Sequence, residues 1–397
     1  MVIGRLLDDS FVGEIKRNIT IVTIARLVAN ACYRFAPPFL AIIVTDLDVT
    51  LSQAGFAIFL SELTGLLSPM VGRLTERVSH RASMVIGLVG TGVGCAIAAV
   101  APSLTWFAIG ITVLVFTKQA FDIGLGAWIA DHVPYAQRGR ITGLTEMSWA
   151  LGLLVGVSVL GVVTALASWR VAYLVAVAMV VVLTIGIARR VTDESKVRVH
   201  HERSGAAIRG RGWLVVLAMF CIMSAAQNLF VTFGSWLSDD FGFDAAGLTV
   251  VGFALGAVEL LSSTGSASRT DRWGKERSIA LGAFLIVPGG ILLAAGADAL
   301  FVGLLGIAIY LLGFEFSVVS LLPVASTIVP NNPAVGFGWV LGAGALGRAL
   351  MSLVSTRVYE DHGIRVAALL GPVLALVAVA LILQHGRLAD NEISAAK

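Results

Sequence analysis

The sequence predicts an all-α polytopic membrane protein, twelve transmembrane helices arranged as two pseudo-symmetric six-helix bundles. Three observations predict it. The mean hydropathy is +0.90, with 57% hydrophobic and 13% charged residues over 397 positions, a composition that excludes an ordinary water-soluble globule. The apolar residues fall into runs long enough to cross ~30 Å of hydrocarbon at ~1.5 Å per helical residue, and they do not alternate as barrel strands would. Finally, a charged turn at 72–84 has a second version near 267–277, displaced by 195 residues, close to half the chain.

Twelve runs emerge between charged or Pro/Gly turns: 20–44, 51–71, 83–101, 104–130, 141–164, 169–188, 213–237, 245–266, 278–297, 299–322, 335–356 and 364–384. Residues 1–188 form the first bundle, 189–212 a basic linker and 213–397 the second bundle. With the N-terminus in the cytoplasm, cytoplasmic segments hold 21 of the 28 Lys and Arg, outer loops hold three and spans hold four. The positive-inside rule then places both termini in the cytoplasm of a cell (inner) membrane protein. Ahead of the first span, Ile3, Leu7, Phe11 and Ile15 share one helical stripe, which suggests an interfacial helix. Cys32, Cys95 and Cys221 lie in apolar runs and read as packed thiols rather than a disulfide framework.

Span 1 carries Arg26, Asn30 and Arg34 at a spacing of four, one polar stripe on a helix, before Pro37-Pro38 disturbs its outer end. Arg34, deep in the span, is either a structural cation satisfied by carbonyls or a substrate-facing or proton-coupling group. Arg26, nearer the cytoplasm, is expected to snorkel to the interface. Glu62 sits near the centre of span 2 and is the leading proton-carrier candidate, against a static partner of Arg34. Lys118 and Asp122 in span 4 are placed to pair at i, i+4.

Glu146, about one turn inside span 5, joins a cytoplasmic charge cluster. Gly152, Gly156 and Gly161 strip bulk from span 5, and Gly338, Gly342, Gly344 and Gly347 do so in span 11, which favours close helix packing. The basic linker reads as a plain connector, with attraction to anionic lipid as the other reading. The second half holds Glu259, Glu315 and Arg348. Glu315 and Asp122 occupy similar places in spans 10 and 4, and Glu315 with Arg348 reads either as a buried ion pair or as part of a transport site. Phe230, Phe233, Trp236, Phe253, Phe314 and Phe316 are available for an apolar wall.

The turn at 72–84 contains Gly72, Arg73, Leu74, Glu76, Arg77 and Arg81, and its copy contains Asp271, Arg272, Gly274 and Lys275. Asp131, Pro134, Arg138, Gly139 and Gly143 precede span 5, and Trp169-Arg170 opens span 6. With twelve spans and a central basic loop, these residues resemble the major facilitator superfamily, whose signature loop between spans 2 and 3 reads Gly-x-Leu-x-Asp-Arg-x-Gly-Arg/Lys. Glu76 and Ser79 stand where that pattern has Asp and Gly. Gly156 and Gly161 match the ends of the Gly-Pro-x-x-Gly-Gly motif in the family's proton-coupled drug/efflux branch, and Lys118 stands nearest that branch's span 4 Arg.

The resemblance implies a secondary transporter in which two halves rock about a central site, as a monomer. A cytoplasmic gate is then expected from Gly72, Arg73, Glu76, Arg77, Arg81, Asp131, Arg138, Glu146, Asp271 and Arg272. The proton-coupling and substrate candidates are Arg34, Glu62, Lys118, Asp122, Glu259, Glu315 and Arg348, with Glu62 and Arg34 as the coupling pair. The expected activity is proton-coupled export of amphipathic small molecules, drug or lipid-like. The alternatives are proton-coupled uptake of a sugar or organic anion, and a transport-inactive membrane sensor.

No cofactor, metal or nucleic-acid partner is expected. Gly274-Lys275 is followed by Glu276 instead of the Ser or Thr of a phosphate-binding loop. Neither Gly-x-Ser-x-Gly nor His-Glu-x-x-His occurs, and the six histidines fall outside the expected membrane core, against an intramembrane enzyme.

Overall fold

Backbone N–H and C=O groups that meet no water must bond within the chain, and the apolar runs do so as helices. The computed structural model describes residues 13–75, 77–133, 141, 145–191, 208, 210–329 and 333–395, and among these there is no strand. The expected N-terminal interfacial helix, most of the linker, Glu76 and Arg138 lie outside the described residues, as do the side chains of Arg73 and Asp131.

Twelve helical passes are present among the described residues. Helix α1 runs Gly13–Arg34 and continues through a tight turn at Pro37–Phe39 into Leu40–Leu47; α2 runs Leu51–Leu63, tightens at Thr64–Leu67 and resumes at Ser68–Thr75. Next come α3 (His80–Ala99), α4 (Leu104–His132), α5 (from 145 through a wide turn at Gly152–Val157 to Ser158–Leu166) and α6 (Trp169–Arg190). The second half has α7 (Gly212–Phe241), α8 (Ala245–Trp273), α9 (Lys275–Ala295) and α10 (Leu300–Ala325). The run Pro333–Ala395 holds both α11 (333–362) and α12 (364–395), which part at Gly363, where φ of 70° suits a residue without Cβ.

The repeated charged turn is shorter than expected. No Gly or Pro interrupts 266–273, so α8 carries its hydrogen bonding through Asp271 and Arg272, and the chain turns at Gly274, whose φ is 88°. In the first copy α2 likewise reaches Thr75, which puts Gly72 on a helix end, and Ser79 caps α3 by accepting from the Ala82 N–H at 3.2 Å.

The chain divides into two compact units. One holds Met1–Val49, Leu67–Arg198 and Asp244–Gly256; the other holds Thr50–Leu66, Val199–Phe243 and Ala257–Lys397. Thus α2 passes from one unit to the other at its tightened turn, and α8 does so after Gly256.

Each unit contains a glycine-lined helix pair that the repeat relates to one in the other. A Cβ on Gly87 or Gly94 of α3 would lie 2.4 Å and 2.5 Å from backbone nitrogens of α4, and a Cβ on Gly282 or Gly289 of α9 would lie 2.6 Å and 2.5 Å from those of α10. Both glycines recur at the same 195-residue displacement as the charged turn. Backbones in such contact gain dispersion energy and are held without polar side chains. The three cysteines are buried free thiols.

Candidate functional site

The polar stripe of α1 forms as its spacing predicts, and every member has a partner. Arg26 Nε donates to Asp122 Oδ1 at 3.3 Å, and its Nη1 donates to Glu146 Oε1 at 2.8 Å. Lys118 Nζ reaches Asp122 Oδ2 at 2.6 Å, the expected i, i+4 contact. Two cations and two carboxylates from α1, α4 and α5 therefore neutralise one another in one connected network. Arg26 does not snorkel, because acids on two neighbouring helices meet it first.

One turn along α1, Asn30 Nδ2 donates to Ser148 Oγ at 3.3 Å. At the end of the stripe, buried Arg34 donates through Nη1 to the Trp149 carbonyl at 3.1 Å, and its guanidinium carbon lies 4.7 Å from the Trp149 ring centroid. Lys118 Nζ lies 5.5 Å from the Tyr33 ring, which is 6.0 Å from Trp149. A cation over an aromatic face gains about 0.5–2 kcal/mol, more as water is excluded. The approach of α5 depends on its glycines: a Cβ on Gly152 would lie 2.9 Å from that of Asn30, and one on Gly156 would lie 2.4 Å from that of Ala31. Gly161 instead faces Thr249 and Phe39.

The second unit holds the buried carboxylates differently. Glu62, on the last full turn of α2 before its tightened segment, accepts from Arg348 Nε of α11 at 2.9 Å, with 6% of its side chain exposed. Arg348 Nη1 also lies 3.3 Å from Met223 Sδ of α7. A turn further, Gln227 donates to Ser352 Oγ at 2.9 Å, and Ser352 donates to the Arg348 carbonyl at 2.9 Å. Glycines again set the distance, since a Cβ on Gly65 would lie 2.5 Å from Ala345 Cβ, and one on Gly347 would lie 2.5 Å from the Phe220 carbonyl. Gly338 and Gly342 face no neighbour within 4 Å, so only part of the α11 glycine run serves packing.

Glu315 accepts from Ser263 Oγ at 2.5 Å, and Glu259 is fully buried. Below them Ser266, Thr270 and Ser320 close a triangle of hydroxyls at 3.1, 2.9 and 2.8 Å. The partner described for Arg348 is Glu62, which comes from α2, nine helices earlier in the chain. The aromatic wall is dispersed. Phe233 and Trp236 are core residues, Trp236 donating to the Ala297 carbonyl at 3.1 Å, Phe230 packs edge-on against Phe314, Phe316 lies against Trp273, and Phe253 is exposed.

Of the gate residues, Arg77, Asp271 and Arg272 are exposed, Gly72 and Arg81 are half-buried, Asp131 lies in the last turn of α4, and Glu146 belongs to the Arg26 network. Sequence reasoning passed over Arg26 as a hub, although its place on the Arg34 stripe signalled it. It also passed over Trp149, Tyr33, Ser263 and Met223, whose residue types are common in helix cores.

The model of the Major Facilitator Superfamily matches residues 22–352. The chain belongs to this superfamily. It is 26% identical over 261 residues to the uncharacterized MFS-type transporter YwfA of Bacillus subtilis (strain 168), a match that covers 62% of this chain and 60% of that protein's length. Among solved structures, it resembles a bacterial homolog of the human lysosomal transporter Spinster in an inward-facing, unoccupied conformation, with a TM-score of 0.76 at 12% identity over 94% of this chain and 97% of that one. It also resembles the human organic anion transporter MFSD10 (TETRAN), with a TM-score of 0.70 at 18% identity over 94% of this chain and all of that one (100%). At these identities the superfamily fold is what is shared.

Proposed function

We propose that the chain is a proton-coupled secondary transporter that exports amphipathic small molecules by alternating access, with both termini cytoplasmic. The observation that carries the reading is the Glu62–Arg348 contact at 2.9 Å. A charge-assisted hydrogen bond to a guanidinium is stronger than a neutral one, so a proton delivered to Glu62 would weaken its hold on Arg348 and change the strength of the α2–α11 contact. To the coupling pair of Glu62 and Arg34 this reading adds Arg348, the described partner of Glu62. Arg34, beside Trp149 and Tyr33, receives the polar end of the substrate, and the exposed Arg77, Asp271 and Arg272 act at the cytoplasmic gate.

Two further features support alternating access. Helix α2 changes unit at its tightened turn, one turn after Glu62, which makes that turn the natural place for a protonation-dependent bend. The π-type widening at Gly152–Val157 in α5 follows directly after Trp149. The test is transport in proteoliposomes with an imposed pH gradient. Glu62→Gln should abolish gradient-driven flux and retain downhill substrate exchange; unchanged gradient-driven flux removes Glu62 from the coupling.

Uptake of an organic anion is the second reading, favoured by Arg34 above an aromatic ring and by the likeness in fold to MFSD10, an organic anion transporter. Counterflow with radiolabelled organic acids separates the two, since only this reading predicts exchange of a simple anion.

A further inference from the structure

At the end of the second unit where α7 and α9 begin and α10 and α12 finish, a cavity of about 200 Å³ is lined by Arg211, Lys275, Glu276 and His385, with Pro323 and Ile328 in its apolar wall. None of these residues belongs to either polar network above. At roughly 30 Å³ per water, the cavity holds several waters or one group of phosphate size. It is smaller than the ~300–1,000 Å³ that drug-sized ligands occupy.

Its charge is uneven. Glu276 Oε1 lies 3.7 Å from His385 Nδ1, whose side chain is 8% exposed, so the carboxylate is turned toward the imidazole. Arg211 and Lys275 are the lining's two permanently cationic side chains, beside one carboxylate. The start of α9 adds to their charge: Lys275 is the first residue, Gly274 before it offers no side-chain cap, and a helix start carries partial positive charge.

A separate observation points to where an occupant comes from. Trp213, next in sequence to Gly212 of the lining, packs edge-on against Trp339 at 5.3 Å, and both rings are exposed, at 44% and 49%. Exposed tryptophans at the ends of membrane helices sit at the headgroup level, and basic pockets between such ends suit anionic headgroups. The cavity lining and this aromatic pair thus both include the first turn of α7, which puts them at the same end of that helix.

We propose that this cavity binds the phosphate ester of an anionic phospholipid, with Arg211 and Lys275 as its cationic contacts and the chains lying along Trp213 and Trp339. The site is independent of the substrate and proton assignments, so its failure leaves them standing.

The test is native mass spectrometry of the full chain in detergent, titrated in separate arms with short-chain phosphatidylglycerol, short-chain phosphatidylcholine and glycerol 3-phosphate. A one-to-one phosphatidylglycerol adduct is expected, with phosphatidylcholine at least about tenfold weaker and a further loss of about tenfold in Arg211→Gln/Lys275→Gln, each charge being worth about 1 kcal/mol near an anionic surface. Equal binding of the two lipids, or unchanged binding by the double variant, overturns the proposal. Glycerol 3-phosphate binding as tightly as phosphatidylglycerol overturns the lipid as the source. Should the double variant not fold, the wild-type adduct must weaken about tenfold between low and roughly 0.5 M salt, and a salt-insensitive adduct overturns the proposal.

Discussion

The two units keep charge inside a membrane protein by different means. In the first, Arg26, Lys118, Asp122 and Glu146 share charge along a chain of contacts from three helices, and Asp122 and Glu146 retain 29% and 47% side-chain exposure. In the second, a carboxylate with 6% exposure accepts from a guanidinium, and the polar side chains described on the neighbouring turns are mainly hydroxyls and amides. A shared network loses one member and redistributes; a buried pair that loses one member leaves an opposite charge in low dielectric. On the function proposed above, the first arrangement is the fixed scaffold and the second the contact that a proton releases.

The contrast can be broken most directly at Arg348. Arg348→Met should destabilise the protein by about 3 kcal/mol, read from thermal unfolding in detergent, and Glu62→Gln/Arg348→Met should recover most of it. A single variant that melts like the wild type ends the distinction. In the first unit, Arg26→Gln strands two carboxylates with Lys118 still beside Asp122, and a loss of about 2 kcal/mol is expected. A loss above that of Arg348→Met would reverse the comparison.

The shared part of the architecture gives the third measurement. Gly94→Ala and Gly289→Ala should each cost about 1.5 kcal/mol, because their Cβ atoms meet backbone at 2.5 Å. Gly338→Ala should be near neutral, with open space around it. Unequal losses at Gly94 and Gly289 would mean the repeat is preserved in sequence and not in packing. The smallest effect belongs to Ser263→Ala, about 1 kcal/mol for the hydrogen bond to Glu315, measured as a shift in the unfolding midpoint.

Much of this could be read before any coordinates. Arg26, Asn30 and Arg34 declared a common helix face by spacing alone, and Lys118 and Asp122 declared their pair, because both contacts are local on a helix. The Glu62–Arg348 contact spans 286 residues, and no local period reports it. The extent of α8 through Asp271 and Arg272 was misjudged for a related reason. Charge was taken to end the helix, whereas a helix ends where a residue such as Gly274 permits another backbone conformation.

The sequence by itself determined the all-helical membrane class, the repeat at 195 residues and which helix faces are polar, because hydrophobic length, helical period and duplication are properties of neighbouring positions or of the chain compared with itself. Only the tertiary structure decided which buried charge meets which. A helix face offers several candidate partners of equal sign and reach, and the choice among them is made by the glycine contacts that set how closely, and at what level, two helices distant in sequence lie side by side.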